Sequence, residues 1–460
     1  MARGGNPWLK WFGLWTVASG ASFAALEAAA QAPPVPQGTQ FQINTYTTGY
    51  QYRASVAAAS NGDFVVVWNS DLYSGSSIQG QRYASNGSAQ GAQFQINSGT
   101  SSHQANSSVA VAPNGDFVVV WESDGSAGTD TSVWSIQGRR YASNGSAQGV
   151  QFQVNTYTTG AQAQPVAAVA SNGDFVVVWA SLGSSGTDTS GASIQGQRYA
   201  SNGSAQGAQF QINSYTSGYQ SVPSAAVAPN GDFVVVWQSR GSSGTDTSYY
   251  SVQGQRYASS GSAQGTQFQI NSYTPGYQIA PSVAVAPNGD FVVVWTGDVA
   301  FGPDTGPFSI LGQRYTSDGS AQGAQFQVNT DTTNTQERPS VAADANGDFV
   351  VVWDSAPLGK LTTSVQGRRY ASNGSAQSEQ FQINSYTSGY PFAPSVAVAS
   401  NGDFVVVWNT DDIQGQRYLP EPSSVASLGA MLAMLWACAR RRGPVIACDA
   451  FLFGSARRSS

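Results

Sequence analysis

The apolar positions of this chain come in short bursts separated by long polar stretches. The strongest burst, Phe-Val-Val-Val-Trp, occurs seven times, always behind Asn-Gly-Asp: Asn61–Trp68, Asn114–Trp121, Asn172–Trp179, Asn230–Trp237, Asn288–Trp295, Asn346–Trp353 and Asn401–Trp408. The steps between copies are 53, 58, 58, 58, 58 and 55 residues. Self-similarity at a near-constant period marks a repeat architecture. A continuous apolar run of this length, rich in β-branched and aromatic residues, predicts a strand buried on both faces and is too short for a buried helix. Asn-Gly ahead of it predicts a tight hairpin turn, because a type I′ turn needs positive φ at both central positions. The small apolar run before the turn, such as Ser108–Pro113, is then the partner strand.

The second repeat shows the full unit. Strand A is Ser108–Pro113, strand B Asp116–Trp121, strand C Ser135–Tyr141 and strand D Gln151–Asn155, with a Gly-, Ser-, Asp- and Thr-containing loop between B and C. Four strands per repeat with short connections is the blade of a β-propeller. Phe-Gln-[Ile/Val]-Asn occurs seven times, starting at Phe41, and Gly-[Gln/Arg]-Arg-Tyr occurs seven times, ending at Tyr418. One D strand therefore stands ahead of the first blade, while the last blade stops at strand C. Pairing the two would close a ring and remove its exposed edges. The expected fold is all-β: a seven-bladed propeller over residues 41–418, closed by an N-terminal strand. The strand C glycine (Gly80 in the first blade) predicts a close approach, expected from a strand B aromatic of a neighbouring blade.

Two charged positions recur in every blade. The turn aspartate is Asp63, Asp116, Asp174, Asp232, Asp290, Asp348 and Asp403; the strand C arginine is Arg82, Arg140, Arg198, Arg256, Arg314, Arg369 and Arg417. Antiparallel B and C strands would bring them within about one residue of each other. A role repeated in all seven blades, like that of Trp68, Trp121, Trp179, Trp237, Trp295, Trp353 and Trp408, reads as architecture: an Asp–Arg bridge or a turn cap. Asp344, Asn346 and Asp348 place oxygens at alternate positions and form a weak calcium candidate. The Gly-Thr-Asp-Thr-Ser loops (Gly186–Ser190, Gly244–Ser248) offer further oxygens. His103 is the only histidine, so no histidine-based triad or multi-histidine metal site exists. No catalytic residue stands out, and the expectation is a protein that is not an enzyme and needs no cofactor.

Binding has more support. Strand order places the B–C and D–A loops on one face. The D–A loops carry Tyr-Thr-x-Gly-Tyr: Tyr46 and Tyr50, Tyr215 and Tyr219, Tyr273 and Tyr277, Tyr386 and Tyr390. Tyrosines among Asn, Asp and Gln could stack on sugars and hydrogen-bond them, which makes extracellular polysaccharide the expected ligand class. The rival expectation is a structural or protein-adhesion scaffold, with a polysaccharide hydrolase or lyase third.

Composition sharpens this. Residues 41–418 hold 13 of the 20 Lys and Arg and 23 of the 26 Asp and Glu, a net charge near −10. Such a body repels phosphate backbones, so nucleic acid is not an expected partner. The two cysteines, Cys438 and Cys448, lie outside the repeats, whose stability must come from packing.

The ends of the chain give an address. Residues 1–30 read as a secretory signal: Arg3 and Lys10, the apolar stretch Leu14–Ala25, and small residues up to a cut after Ala30. Residues 31–40 are a Pro-rich linker. At the other end, Pro420-Glu421-Pro422 (in a motif segment 419–422) precedes an apolar stretch and Arg440–Arg442, together residues 423–442. This resembles the PEP-CTERM sorting signal of Gram-negative bacteria. The resemblance implies export, a C-terminal transmembrane helix in the inner membrane, and processing at the Pro-Glu-Pro motif by an exosortase-type enzyme. It also implies residence at the cell envelope, cell surface or extracellular matrix. The chain departs from that pattern by continuing through a tail, residues 443–460. The repeats are similar to those of large secreted bacterial proteins in which Phe-Gln-Val-Asn-Thr-Tyr-Thr segments alternate with Gly-Asp-Phe-Val-Val-Val-Trp, which implies extracellular placement.

Overall fold

The computed structural model describes residues 33–419 except 73–74, 100–102, 126, 299–305, 358–362 and 386–389. These residues form seven antiparallel four-stranded sheets arranged as propeller blades. No helix among them is long and apolar enough to cross a membrane. The expected signal segment with Ala30, the Pro420–Pro422 motif and the C-terminal helix lie outside the described residues.

Blade 2 is built from Gln104–Val111, Phe117–Ser123, Ser135–Tyr141 and Phe152–Gln153. Strand B is buried on both faces for the reason its sequence gave: it lies between two blades. Phe64, Val66 and Trp68 pack on Val405 and Val407 of the preceding blade, while Val65 and Val67 pack on Phe117, Val119 and Trp121 of the next. Each such fully buried side chain contributes about 1.5–3 kcal/mol from area removed from water. The ring closes as expected. Phe41 pairs with Gly415 and Gln42 with Gln414, making the N-terminal strand the outer strand of blade 7. Just upstream, Gln37 N–H donates to the Arg417 carbonyl at 2.8 Å.

Three local expectations are corrected. In blade 2 strand D is shorter than five residues, only Phe152 and Gln153 pairing with strand C, whereas in blades 4 and 5 it runs over Ala263–Gln269 and Ala321–Gln327. Beyond them the Asn155 side chain takes over, its Oδ1 accepting the Ile136 N–H at 2.8 Å, so a side chain finishes the ladder. Strand A starts earlier than Ser108 and carries a bulge between Ala105 and Ser108. The bulge recurs in every blade and holds a non-glycine residue at positive φ, from Arg53 (φ 54°) to Val222 (φ 51°) and Ala393 (φ 49°), a conformation costing about 1–2 kcal/mol. The preceding blade offsets this in most seams by accepting a bulge N–H. Val222 donates to Gln164 Oε1 at 2.8 Å, Ala280 to Gln238 Oε1 at 3.1 Å and Arg338 to Thr296 Oγ1 at 3.1 Å. Finally, the aromatic over the strand C glycine comes from strand D of the same blade. A Cβ on Gly138 would sit 2.8 Å from Phe152 Cζ, and the two residues are cross-strand partners.

The strand C tyrosine locks blade to blade. Tyr141 stacks on Phe117 at 4.8 Å and meets Phe94 of the preceding blade edge-on at 5.7 Å. Its hydroxyl donates to the Ile96 carbonyl at 3.1 Å, and burial pushes its pKa up to about 12. A second clasp runs through the glutamine before each Phe-Gln pair. Gln209 Oε1, for example, accepts the Thr156 N–H of the preceding blade at 2.7 Å.

Candidate functional site

The repeated polar residues of the A–B turn face are spent on the fold. Val65 pairs with Arg82, which leaves Asp63 two positions away, and no direct Asp–Arg bridge forms between them. A glutamine spans the gap. Asp63 Oδ1 caps the Ser85 N–H at 2.9 Å, its Oδ2 accepts from Gln90 Nε2 at 3.1 Å, and Gln90 Oε1 accepts from Arg82 Nη2 at 2.7 Å. The same Asp–Gln–Arg relay joins Asp116 to Arg140, Asp174 to Arg198, Asp232 to Arg256 and Asp290 to Arg314. Arg82 Nη1 also reaches the Asn144 carbonyl of the next blade at 2.7 Å, tying neighbours together. Asp348 caps Ser372 and Gln377 in the same way. In blade 7, Arg417 finds its glutamine, Gln37, in the N-terminal segment. The turn-cap half of the expectation holds; the direct bridge is replaced by the relay. Between successive blades the same residues line open clefts of about 230–660 Å³.

The recurring tryptophans are fully buried. In six blades the indole N–H donates to a glutamine at the start of strand A, as Trp121 does to Gln104 Oε1 at 2.7 Å and Trp237 to Gln220 Oε1 at 3.1 Å. In blade 7, Pro391 stands where that glutamine would be, and Trp408 Nε1 has no partner.

The calcium candidates lie in one turn, at the A–B end of the central opening, which Asp344 helps line. Asp344 Oδ1 accepts the N–H groups of Asn346 at 2.8 Å and Asp348 at 3.0 Å. Among the described residues no group of three or more His, Cys, Asp or Glu is placed to hold a metal. In the Gly-Thr-Asp-Thr-Ser loops the carboxylate is buried. Asp188 Oδ1 accepts the Ser190 N–H at 3.1 Å and Oδ2 accepts from Asn213 Nδ2 at 2.7 Å.

The opposite face differs. Its B–C and D–A loops do come together: Ser132 Oγ reaches the Gly160 carbonyl at 2.9 Å and Ser248 Oγ the Gly276 carbonyl at 2.8 Å. The motif tyrosines divide into two sets. Tyr215 is half-buried, its hydroxyl against Gly241, and Tyr273 is half-buried as well. Tyr46, Tyr50, Tyr219, Tyr277 and Tyr390 are exposed; Tyr386 lies outside the described residues. Two tyrosines outside the Tyr-Thr-x-Gly-Tyr motif, Tyr249 and Tyr250, join them from the B–C loop of blade 4. Tyr249 stacks on Tyr277 at 5.2 Å with 12° between the rings, and Tyr250 lies 6.0 Å from Tyr277 at 26°.

Two buried carboxylates sit between blades at the residue after the tryptophan. Glu122 accepts from Asn106 Nδ2 and the Gln164 N–H, and burial pushes its pKa up. Asp354 Oδ2 accepts from the Ala393 N–H at 3.1 Å and from Arg338 Nη1 at 2.9 Å. Its Oδ1 has no partner, and burial pushes its pKa up to about 7.

No protein-family model matches the chain, and the search of curated proteins finds no relative. Among solved structures the chain is similar to several propellers. An α-L-arabinofuranosidase of Fusarium graminearum is 12% identical, with a TM-score of 0.47, over 69% of this chain and 93% of that one. An α-L-arabinanase of Penicillium chrysogenum is 16% identical, with a TM-score of 0.44, over 68% and 92%. The β-propeller domain of the Trilobed protease of Pyrococcus furiosus is 8% identical, with a TM-score of 0.46, over 81% and 94%. The likeness is one of fold. It corrects one expectation: glycoside hydrolases stand among the propellers similar to this chain, so the reading of the chain as not an enzyme does not stand.

Proposed function

We propose that this chain is an exported propeller that holds extracellular polysaccharide on the face built by its B–C and D–A loops. The observation that supports it is the crown of tyrosines on that face: Tyr46, Tyr50, Tyr219, Tyr249, Tyr277 and Tyr390 are between 38% and 73% exposed. The strand C tyrosines, by contrast, are buried in the seams. An exposed tyrosine offers a flat apolar ring and a hydroxyl, which suits the two-sided chemistry of a sugar, and its few rotatable bonds keep the ordering cost low. The proposal includes export, anchoring in the inner membrane, exosortase-type processing and residence at the envelope or matrix of a Gram-negative cell; the resemblance of the terminal segments to a sorting signal supports it.

The test is binding of the purified, processed protein to a panel of soluble polysaccharides by affinity electrophoresis, with and without calcium. Saturable retardation that weakens when the exposed tyrosines are changed together to alanine is the expected result. A folded protein that no polysaccharide retards would refute the reading and favour the scaffold alternative.

A further inference from the structure

Seven near-identical repeats provide an internal comparison. Where the copies agree, the structure accounts for the agreement by packing and capping; where one copy departs without a packing reason, it carries something of its own. On the tyrosine face each seam brings together a B–C loop residue of one blade and a D–A loop residue of the next, 28 positions later. Across successive seams the pairs are Val133 with Ala161, Gly191 with Tyr219, Tyr249 with Tyr277, and Pro307 with Thr335. Of these four pairs only Tyr249 with Tyr277, between blades 4 and 5, is aromatic on both sides.

That pair is held in place from behind. Tyr250 and Tyr277 form a backbone bridge, and the next residue, Gln278, donates its N–H to the Tyr250 carbonyl at 3.0 Å. Tyr249 and Tyr277 are parallel at 5.2 Å. Tyr249 nevertheless remains 64% exposed, because Tyr277 covers only one side of its ring. A large aromatic left open to water, but already fixed by a stacking partner and a bridged backbone, needs little further ordering to accept a ligand. The Asp298 N–H is bonded to the Tyr277 carbonyl at 2.8 Å, which fixes the Tyr277 side of the pair.

Resting on the polysaccharide-binding reading above, we infer that the Tyr249–Tyr250–Tyr277 cluster at the seam of blades 4 and 5 is the principal subsite, and that it takes a neutral hexose unit. The apolar face of the sugar stacks on the open side of Tyr249. A flat ring against the apolar face of a pyranose supplies area and orientation. The net charge of the body, near −10, repels uronates and sulfated sugars.

Isothermal titration of the processed protein with soluble glucan, mannan and polygalacturonate tests this, using Tyr249→Ala, Tyr249→Phe and Val133→Ala. Val133, exposed at the matching position of the seam between blades 2 and 3, serves as the control. The expected result is that a neutral polymer binds, that Tyr249→Ala raises its Kd at least tenfold, and that Tyr249→Phe and Val133→Ala change it less than about threefold; a tenfold change corresponds to about 1.4 kcal/mol. If a polymer binds and Tyr249→Ala matches wild type, or Val133→Ala is equally damaging, this subsite is refuted while the tyrosine face stands. Preference for polygalacturonate overturns the neutral class. Failure of all three polymers to bind overturns the subsite together with the reading it rests on.

Discussion

Asp354 makes the stability of the propeller depend on pH in a direction that can be worked out beforehand. Its carboxyl is buried between blades 6 and 7. Two donors, the Ala393 N–H and Arg338 Nη1, serve one oxygen and leave the other bare. Burial outweighs both and raises the pKa from 3.8 to about 7. A carboxyl that holds its proton more tightly when folded than when unfolded contributes stability that is fully present below the unfolded value. That stability is lost as pH rises toward the folded value. A gap of about three units, at 1.36 kcal/mol each, sets the loss between pH 4 and pH 7 at about 4 kcal/mol at most, and at about 2 kcal/mol where relaxation and water reduce it. Asp354→Asn removes the titration. Its amide oxygen can still accept the Ala393 N–H, and the ion pair to Arg338, whose side chain is 55% exposed, contributes about 1 kcal/mol or less. The variant is therefore expected to lie within about 1 kcal/mol of wild type near pH 4, where the wild-type carboxyl is protonated and forms no ion pair, and to be more stable by about 1–3 kcal/mol at pH 8. The measurement is guanidinium unfolding at half-unit steps from pH 4 to pH 8, followed by tryptophan fluorescence. Subtracting wild type from variant cancels every other titrating group. A difference that stays constant across this range would refute the reasoning.

Replacing Gln220 by leucine leaves the Trp237 indole N–H buried without an acceptor. This should cost about 1–3 kcal/mol, read as a shift of the denaturant midpoint at unchanged slope; Pro391→Gln, which gives Trp408 the partner it lacks, is expected to gain about 1 kcal/mol. Gly138→Ala forces the Phe152 ring out of its seat between Gly138 and Tyr199, with an expected cost of about 1–3 kcal/mol; a neutral result by thermal unfolding would contradict the contact. Removing the chain through Asn44 takes the outer strand and the buried Ile43 from blade 7. It should convert one cooperative unfolding transition into a broadened one, with blade 7 protected least in amide hydrogen exchange.

Much of this architecture was legible because the repeats count themselves. Seven Asn-Gly-Asp-Phe-Val-Val-Val-Trp runs fixed the number of blades, and the displaced Phe41-Gln42-Ile43-Asn44 fixed how the ring closes. What escaped was local. A glycine in strand C announces that something comes close, but not from which side. The answer, Phe152 over Gly138, depends on the C–D register, and the short strand D gave little pattern from which to read it. The bulge escaped for a different reason: Arg53, Asn106, Val222 and Ala280 share no side-chain chemistry. What they share is a backbone turn whose N–H is usually accepted by the neighbouring blade.

The residue after the tryptophan shows how divergence among repeats should be weighed. Next to an invariant run it takes seven turns through six residue types: Asn69, Glu122, Ala180, Gln238, Thr296, Asp354 and Asn409. Variation this wide beside a fixed core looks at first like a ring of ligand contacts. The structure gives most of it a plainer role, because any acceptor of suitable reach satisfies a bulge N–H of the next blade. Alanine, which has no acceptor, is tolerated at Ala180 because Gln164 Oε1 takes over and accepts from Val222 at 2.8 Å. Divergence by itself is therefore no mark of a site. Tyr249 passes the stricter test: it departs from Val133, Gly191 and Pro307 at the same position, and its ring partner, Tyr277, is itself an exposed tyrosine of the same face. It is also left open to water on a preorganised ring. The repeated Tyr-Thr-x-Gly-Tyr pattern does not contain it; the signal lies in the one B–C loop that reads Tyr-Tyr where its neighbours read Val-Trp, Gly-Ala and Pro-Phe.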